Sequence, residues 1–183
     1  MSRLPAIDPD QAPACLQPIL SDIHASLGAI PNLFRVATNS PASLDALAGA
    51  AGALSKGAIK AAAREAIALT VAEANGCDYC LSAHAVLGTG AGLSEVDIED
   101  ARHGRAADAK LNAILTFSRT LVINRGNVTN SDFAQLGRAG VTNGEIVEIV
   151  ANVALNIFTN YLNKVADTEI DFPVVRAGMP IAA

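Results

Sequence analysis

Apolar residues recur along this chain at intervals of three and four, and they do not alternate over any stretch long enough for a strand. Leu16, Ile19, Leu20, Ile23 and Leu27 mark a helix over 15–27 that Gly28 ends. Ile30 to Arg35 reads as a connector into a short helical turn. Ser40 and Pro41 then serve as cap and first position of a helix through Leu54, because proline fits a first turn and serine bonds its orphan donors. The next helix covers 59–75, with Ile67, Thr70, Val71 and Ala74 on one side. Gly76 breaks it, a new helix runs from Cys77 to Leu87, and Thr89 to Gly92 is a loop. A short helix starts at Ser94 with Asp97 in capping-box position, and Gly126 ends a long one over 107–124 with Leu111, Ile114, Leu115, Phe117, Leu121 and Val122 inward. After a short helix over 131–140, the capping box Thr142/Glu145 opens the last, from Gly144 to about Lys164. The expected fold is all-α, a single-domain helical bundle over 1–183. Pro5, Pro9 and Pro13 make 1–14 an extended surface arm, and 165–183 a tail that wraps the surface or a neighbouring subunit.

Composition sharpens this picture. The chain is 51% hydrophobic but only 4% aromatic, without Trp and rich in Ala, which suits closely approaching helices and argues against a β-rich fold. Small side chains bury little area each, so part of the apolar surface is expected to be hidden by self-association. At 183 residues the core needs no disulfide or metal for support. A net charge of -5 with no Lys/Arg cluster excludes a nucleic-acid partner. No apolar run reaches about 18 residues and no leader-like segment opens the chain, so the expectation is a cytoplasmic protein without a membrane span. In that compartment a Cys-x-x-Cys is more often catalytic or metal-binding than structural.

The chemistry concentrates in AAAREAIALTVAEANGCDYCLSAHAVLG, residues 61–88. On a helix, Cys80 lies about 60° and His84 about 20° from Cys77, so two thiols and an imidazole share one stripe. The two cysteines are roughly 5 Å apart between Cα atoms, within disulfide range, and the loop they would close is too small to matter much as a staple. A redox pair accounts for the spacing better. Helix-start position favours a thiolate at Cys77, while His84, one turn beyond Cys80, can take the Cys80 proton. Glu65 reaches the thiols only if its helix folds back at Asn75-Gly76. Glu73 reads as a solvated acid, Cys15 as a small core or surface residue, His24 as lacking a ligand set, and His103, beside Arg102 and Arg105, as a helix-end cap. Superposing Glu145 on Glu65 sets Ile157, Asn160 and Lys164 against Cys77, Cys80 and His84, suggesting a duplicated unit in which one copy kept the thiols.

Glu65, the run Cys77-Asp78-Tyr79-Cys80 and His84, on an Ala-rich helical background over residues 40 to 90, resemble the alkylhydroperoxidase D branch of the carboxymuconolactone decarboxylase superfamily. IPNLFRV and NYLNKVADTEIDFP resemble its peroxidase-related members. The resemblance implies an alkylhydroperoxidase D-like fold and a proton relay in which Cys80 is the peroxidatic thiol, Cys77 the resolving thiol, His84 the base and Glu65 its partner. It further implies a hydroperoxide substrate, no bound cofactor, an external dithiol reductant such as a lipoyl-bearing or thiol protein, and assembly into trimers or hexamers. This sequence departs from the best-characterised peroxidases at Tyr79, where they carry a His. Four other readings stay open: a thiol-disulfide oxidoreductase without efficient peroxidase activity, a zinc-binding interaction module using Cys77, Cys80 and His84, a carboxymuconolactone decarboxylase-like lyase, and two core cysteines without chemistry.

Overall fold

The computed structural model describes residues 2–179, and these form nine α-helices with two 3-10 turns and no strand. The helices are α1 (Gln17–Leu27), α2 (Asn32–Ala37), α3 (Pro41–Leu54), α4 (Ala61–Asn75), α5 (Asp78–Gly90), α6 (Glu95–Arg102), α7 (Ala109–Ile123), α8 (Asn130–Arg138) and α9 (Asn143–Ala166). Met1 and the last four residues of the expected tail lie outside the described residues.

Helix α4 is the hub. Every residue from Ala66 to Ala72 is buried, so this helix is sealed all round, as expected of one with neighbours on every side. Helices α5, α6, α7 and α9 surround it. Fully burying Ile67, Leu69 and Val71 contributes about 2 kcal/mol apiece. The one hydroxyl in that stretch is satisfied: Thr70 donates to the Ala101 carbonyl at 2.6 Å, tying α4 to the end of α6. A smaller apolar cluster joins Ala12, Leu16, Leu20 and Ile23 to Ala37, Leu44 and Leu47, and so fastens α1 and the segment before it to α3.

The expected starts rest on real caps. Ser40 Oγ accepts the Ser43 N–H, and capping boxes close at Ser94/Asp97 and Thr142/Glu145, with a third at Thr129/Asp132. Glu145 also takes Lys110 Nζ at 2.7 Å, and that ammonium, followed by the Thr142 N–H, holds its carboxyl below the ordinary glutamate range. Glu148 accepts both the Ala58 and Ile59 N–H groups at 3.0 Å, so α9 also fixes the loop that enters α4.

Several boundaries move. A 3-10 turn over Ala14–Leu16 precedes α1, α4 starts at Ala61, and α8 begins and ends earlier than the apolar spacing indicates. Thr89 and Gly90, expected in a loop, extend α5, and α9 continues two residues into the expected tail. The proposed duplicated unit is not reflected in the elements. Helix α9 runs unbroken for 24 residues, whereas the α4 to α5 stretch turns at Gly76.

The segments at either end of the described residues are both fastened. The Arg3 N–H donates to Ala166 O, the Ile7 N–H to Arg35 O, and Asn39 Nδ2 to Pro5 O, so the largely exposed arm is held against α2 and the end of α9. The segment after α9 folds back over its own chain. Its Val175 N–H donates to Ser82 Oγ, Ala177 N–H to Asp78 Oδ1 and Gly178 N–H to Glu73 Oε1.

This strap explains why Glu73 is not solvated. Glu73, expected on a solvated face, binds Arg102 Nε at 2.8 Å, and Arg102 is only 1% exposed. Arg102 also meets Glu99 at 2.8 Å and donates to the Arg176 and Met179 carbonyls. The guanidinium can be buried because it makes four hydrogen bonds to acceptors on three segments at once. His103 follows at the exposed end of α6, where its ring meets Glu99 at 3.2 Å rather than a terminal carbonyl.

Candidate active site

The turn between α4 and α5 builds the site. Gly76 adopts φ +61°, a left-handed conformation that suits glycine, and reverses the chain so that α5 packs antiparallel to α4. Cys77 is therefore the N-cap of α5 rather than its first helical residue, and its Sγ accepts the Cys80 N–H at 3.3 Å. Cys77 and Cys80 are joined as a disulfide, with Cα atoms 5.3 Å apart, close to the spacing expected from helix geometry. Cys15, the remaining cysteine, is free and exposed.

One turn past Cys80, His84 Nδ1 lies 2.7 Å from Glu65 Oε2. The reversal at Gly76 brings these two residues together from neighbouring helices. That contact assigns Nδ1 to the carboxylate and leaves Nε2 without a protein partner among the described residues. Both side chains are about one-fifth exposed, so water and protons reach them.

Cys80, His84 and Glu65 line one cavity of about 550 Å³, open to solvent and walled by α3, α4, α5, α9 and the α1–α2 connector. Cys80 is only 2% exposed, yet it belongs to this wall, whereas Cys77, 1% exposed, does not. The cavity thus offers an approach to one sulfur of the pair. Much of the lining is apolar, including Leu33, Phe34, Leu47, Leu87 and Phe172, and Arg64 and Asp171 add charge at its edge.

Tyr79 has a different task from a proton relay. Its hydroxyl accepts the Leu33 N–H at 3.0 Å, and its ring meets Phe172 edge-on at 5.8 Å. Burial pushes its phenol far above the ordinary tyrosine range, so it stays neutral and braces α5 against α2 and the returning tail.

Sequence reasoning missed the wall that α9 contributes. Asn152, Asn156, Thr159 and Asn163 are buried on one face of that helix and all line the cavity. The Asn156 amide donates to the Asn152 carbonyl at 2.9 Å, and Asn163 Nδ2 lies 3.3 Å from Cys80 Sγ. The signal was present as asparagines recurring at helical spacing inside an otherwise apolar helix. Asn160, aligned with Cys80 in the supposed repeat, instead accepts from Asn75 Nδ2. His24 is exposed on α1, and no cluster of three or more His, Cys, Asp or Glu suited to a metal occurs among the described residues.

No curated protein matches the sequence. Among solved structures, a peroxidase-related protein from Ralstonia eutropha JMP134, described as an alkylhydroperoxidase AhpD core, superposes with a TM-score of 0.84 at 21% identity, over 93% of this chain and 92% of its own. A peroxidase-related protein from Silicibacter sp. TM1040 gives 0.80 at 21% identity, over 91% and 88%. The debrominase Bmp8 gives 0.73 at 23% identity, over 86% and 87%, and a variant of it is known with 2,3,4-tribromopyrrole bound. Residues 41–121, from the start of α3 into α7, match the Carboxymuconolactone decarboxylase family. That stretch thus resembles the Carboxymuconolactone decarboxylase family, and the whole chain shares the fold of the alkylhydroperoxidase AhpD core.

Proposed function

We propose that this protein is a thiol-dependent peroxidase that cycles through the Cys77–Cys80 pair. The observation that carries the reading is the single open cavity shared by Cys80 and the hydrogen-bonded His84–Glu65 pair. In the reduced protein His84 takes the Cys80 proton, with Glu65 stabilising the imidazolium. The Cys80 thiolate attacks the terminal oxygen of a hydroperoxide. An S–O bond forms, the O–O bond breaks, and the departing alkoxide takes the proton back from His84 to leave as an alcohol. Cys77 then attacks the sulfenic sulfur, forming the disulfide and releasing water.

An external dithiol must restore both thiols, and the family likeness favours a lipoyl-bearing or other thiol protein. No bound cofactor enters these steps. Attack by the reductant on Cys80, the sulfur on the cavity wall, would release Cys77 as thiolate at the start of α5, where unpaired N–H groups favour the charge. Cytoplasmic residence and assembly into trimers or hexamers belong to the same reading. No single described helix is long and apolar enough to cross a membrane.

A second reading draws on the cavity volume, far larger than a peroxide group needs, and on the likeness to a debrominase. There the two thiols would replace a halogen on an aromatic ring by hydrogen, ending in the same disulfide and hydrogen halide. The zinc-module reading is weaker, because Glu65 already occupies His84 Nδ1 and no fourth ligand adjoins the cysteines among the described residues. A lyase would leave the cysteine pair without a task.

The test is to add a hydroperoxide to the reduced protein and follow the peptide holding both cysteines by mass spectrometry. Loss of two thiols per molecule is expected. Cys80→Ser abolishes consumption, and Cys77→Ser stops after one sulfenic turnover. Undiminished turnover in both variants overturns the assignment, while halide release from a bromopyrrole without peroxide consumption favours the second reading.

A further inference from the structure

We propose that Asn163 is a catalytic residue: its side-chain amide donates to Cys80 Sγ and holds that sulfur as the reactive thiolate. The proposal rests on the reading of this site as a thiol-redox centre, and nothing in the Cys-x-x-Cys motif or its His and Glu partners points to it.

Three observations carry it. Asn163 is 3% exposed, and its Nδ2 lies 3.3 Å from Cys80 Sγ across the interface between α9 and α5. Its carbonyl Oδ1 is buried without a hydrogen-bond partner among the described residues. A buried amide left half-satisfied is costly, and a leucine of similar volume would fill the place without that cost, so packing alone does not account for asparagine here. Finally, the end of α9 is pinned. Asn160 Oδ1 accepts from Asn75 Nδ2 at 2.9 Å, Lys164 Nζ donates to Asn75 O at 2.6 Å, and Asn163 O accepts the Thr168 N–H. The first two bonds lock the last turns of α9 onto the α4–α5 turn and the third closes the end of α9, so the amide is already aimed at sulfur before any charge develops.

In the disulfide, Cys80 Sγ is a weak acceptor and the contact contributes little. Reduction and loss of the thiol proton turn it into an anion in a largely apolar wall, where a fixed N–H donor favours the charged form. His84 and Asn163 then divide the work. The imidazole takes the proton, and the amide, which does not titrate, holds the charge left behind. The charged or titratable side chains sharing the cavity are Arg64 and Glu65 from α4, Tyr79 and His84 from α5, and Asp171 from the tail. Substituting Asn163 changes none of them.

The test uses a Cys15→Ser/Cys77→Ser background, in which Cys80 is the sole thiol. The rate of iodoacetamide alkylation is followed against pH by intact mass, with thiolate absorbance near 240 nm as a second readout. Asn163→Leu should raise the midpoint by about one pH unit, a roughly tenfold loss of thiolate below it. Asn163→Gln should restore part of the shift. An unchanged midpoint in Asn163→Leu with native helicity overturns the proposal, and Asn163→Ala applies the same criterion should the leucine variant fail to fold. If the unsubstituted protein ignores hydroperoxides yet the midpoint moves, the peroxidase reading fails and the role of Asn163 stands. If it turns over and the midpoint stays, only this proposal is lost.

Discussion

At Glu65 and His84 a single 2.7 Å contact joins two polar side chains from neighbouring helices and turns the imidazole Nδ1 toward the carboxylate. From sequence, Glu65 reaches the thiols only if its helix folds back at Asn75-Gly76; the reversal at Gly76 supplies that fold-back and sets Glu65 against His84. Glu65→Gln keeps the size but removes the charge that stabilises an imidazolium. Under the proposed mechanism, the rate at which hydroperoxide oxidises Cys80 should fall by about tenfold or more near neutral pH, measured by stopped-flow thiol loss. An unaltered rate would mean that Glu65 only positions the ring. Tyr79 shows the opposite outcome. Its hydroxyl is committed to the Leu33 N–H and its phenol is held neutral by burial, so it braces α5 against α2.

At the scale of elements, α5 carries the cysteines, but the segment after α9 holds α5 in place. Asp78 and Ser82 on α5 receive the tail directly, and Glu73 and Arg102 lock it from α4 and α6. Arg102→Met would leave Glu73 facing buried surroundings without its countercharge. Breaking one partner of such a pair costs about 3–5 kcal/mol, and the tail should become sensitive to limited proteolysis before the rest of the chain. Urea unfolding combined with a protease time course measures both, and a variant with native stability and a protected tail would show the network to be dispensable. Glu73 was misread because pairing across α4, α6 and a segment some seventy residues further on leaves no periodic trace in the chain. Helix starts were legible because caps act over three residues: Ser40, Ser94 and Thr142 each bond the third residue along.

For the whole molecule, the outer face of α9 leaves Val147, Val150, Ala154, Phe158, Tyr161 and Val165 exposed at three- and four-residue steps, a seam that on a 24-residue helix suits a second copy of the same helix. If self-association uses this face, Val150→Glu/Tyr161→Glu should dissociate the assembly at micromolar concentration without loss of helicity, as read by sedimentation velocity; a parent protein that is monomeric throughout removes the idea. The sequence by itself determined the helical class, the caps and the local pairing of Cys77 with Cys80, because all of these depend on residues within one or two turns of each other. Only the tertiary structure decided which sulfur meets the cavity, that Glu65 reaches His84, that Arg102 is buried, and that Asn163 lies against Cys80. Each of those depends on which helix faces which, and helix packing is set by the summed shape of many small side chains rather than by any motif a single segment contains.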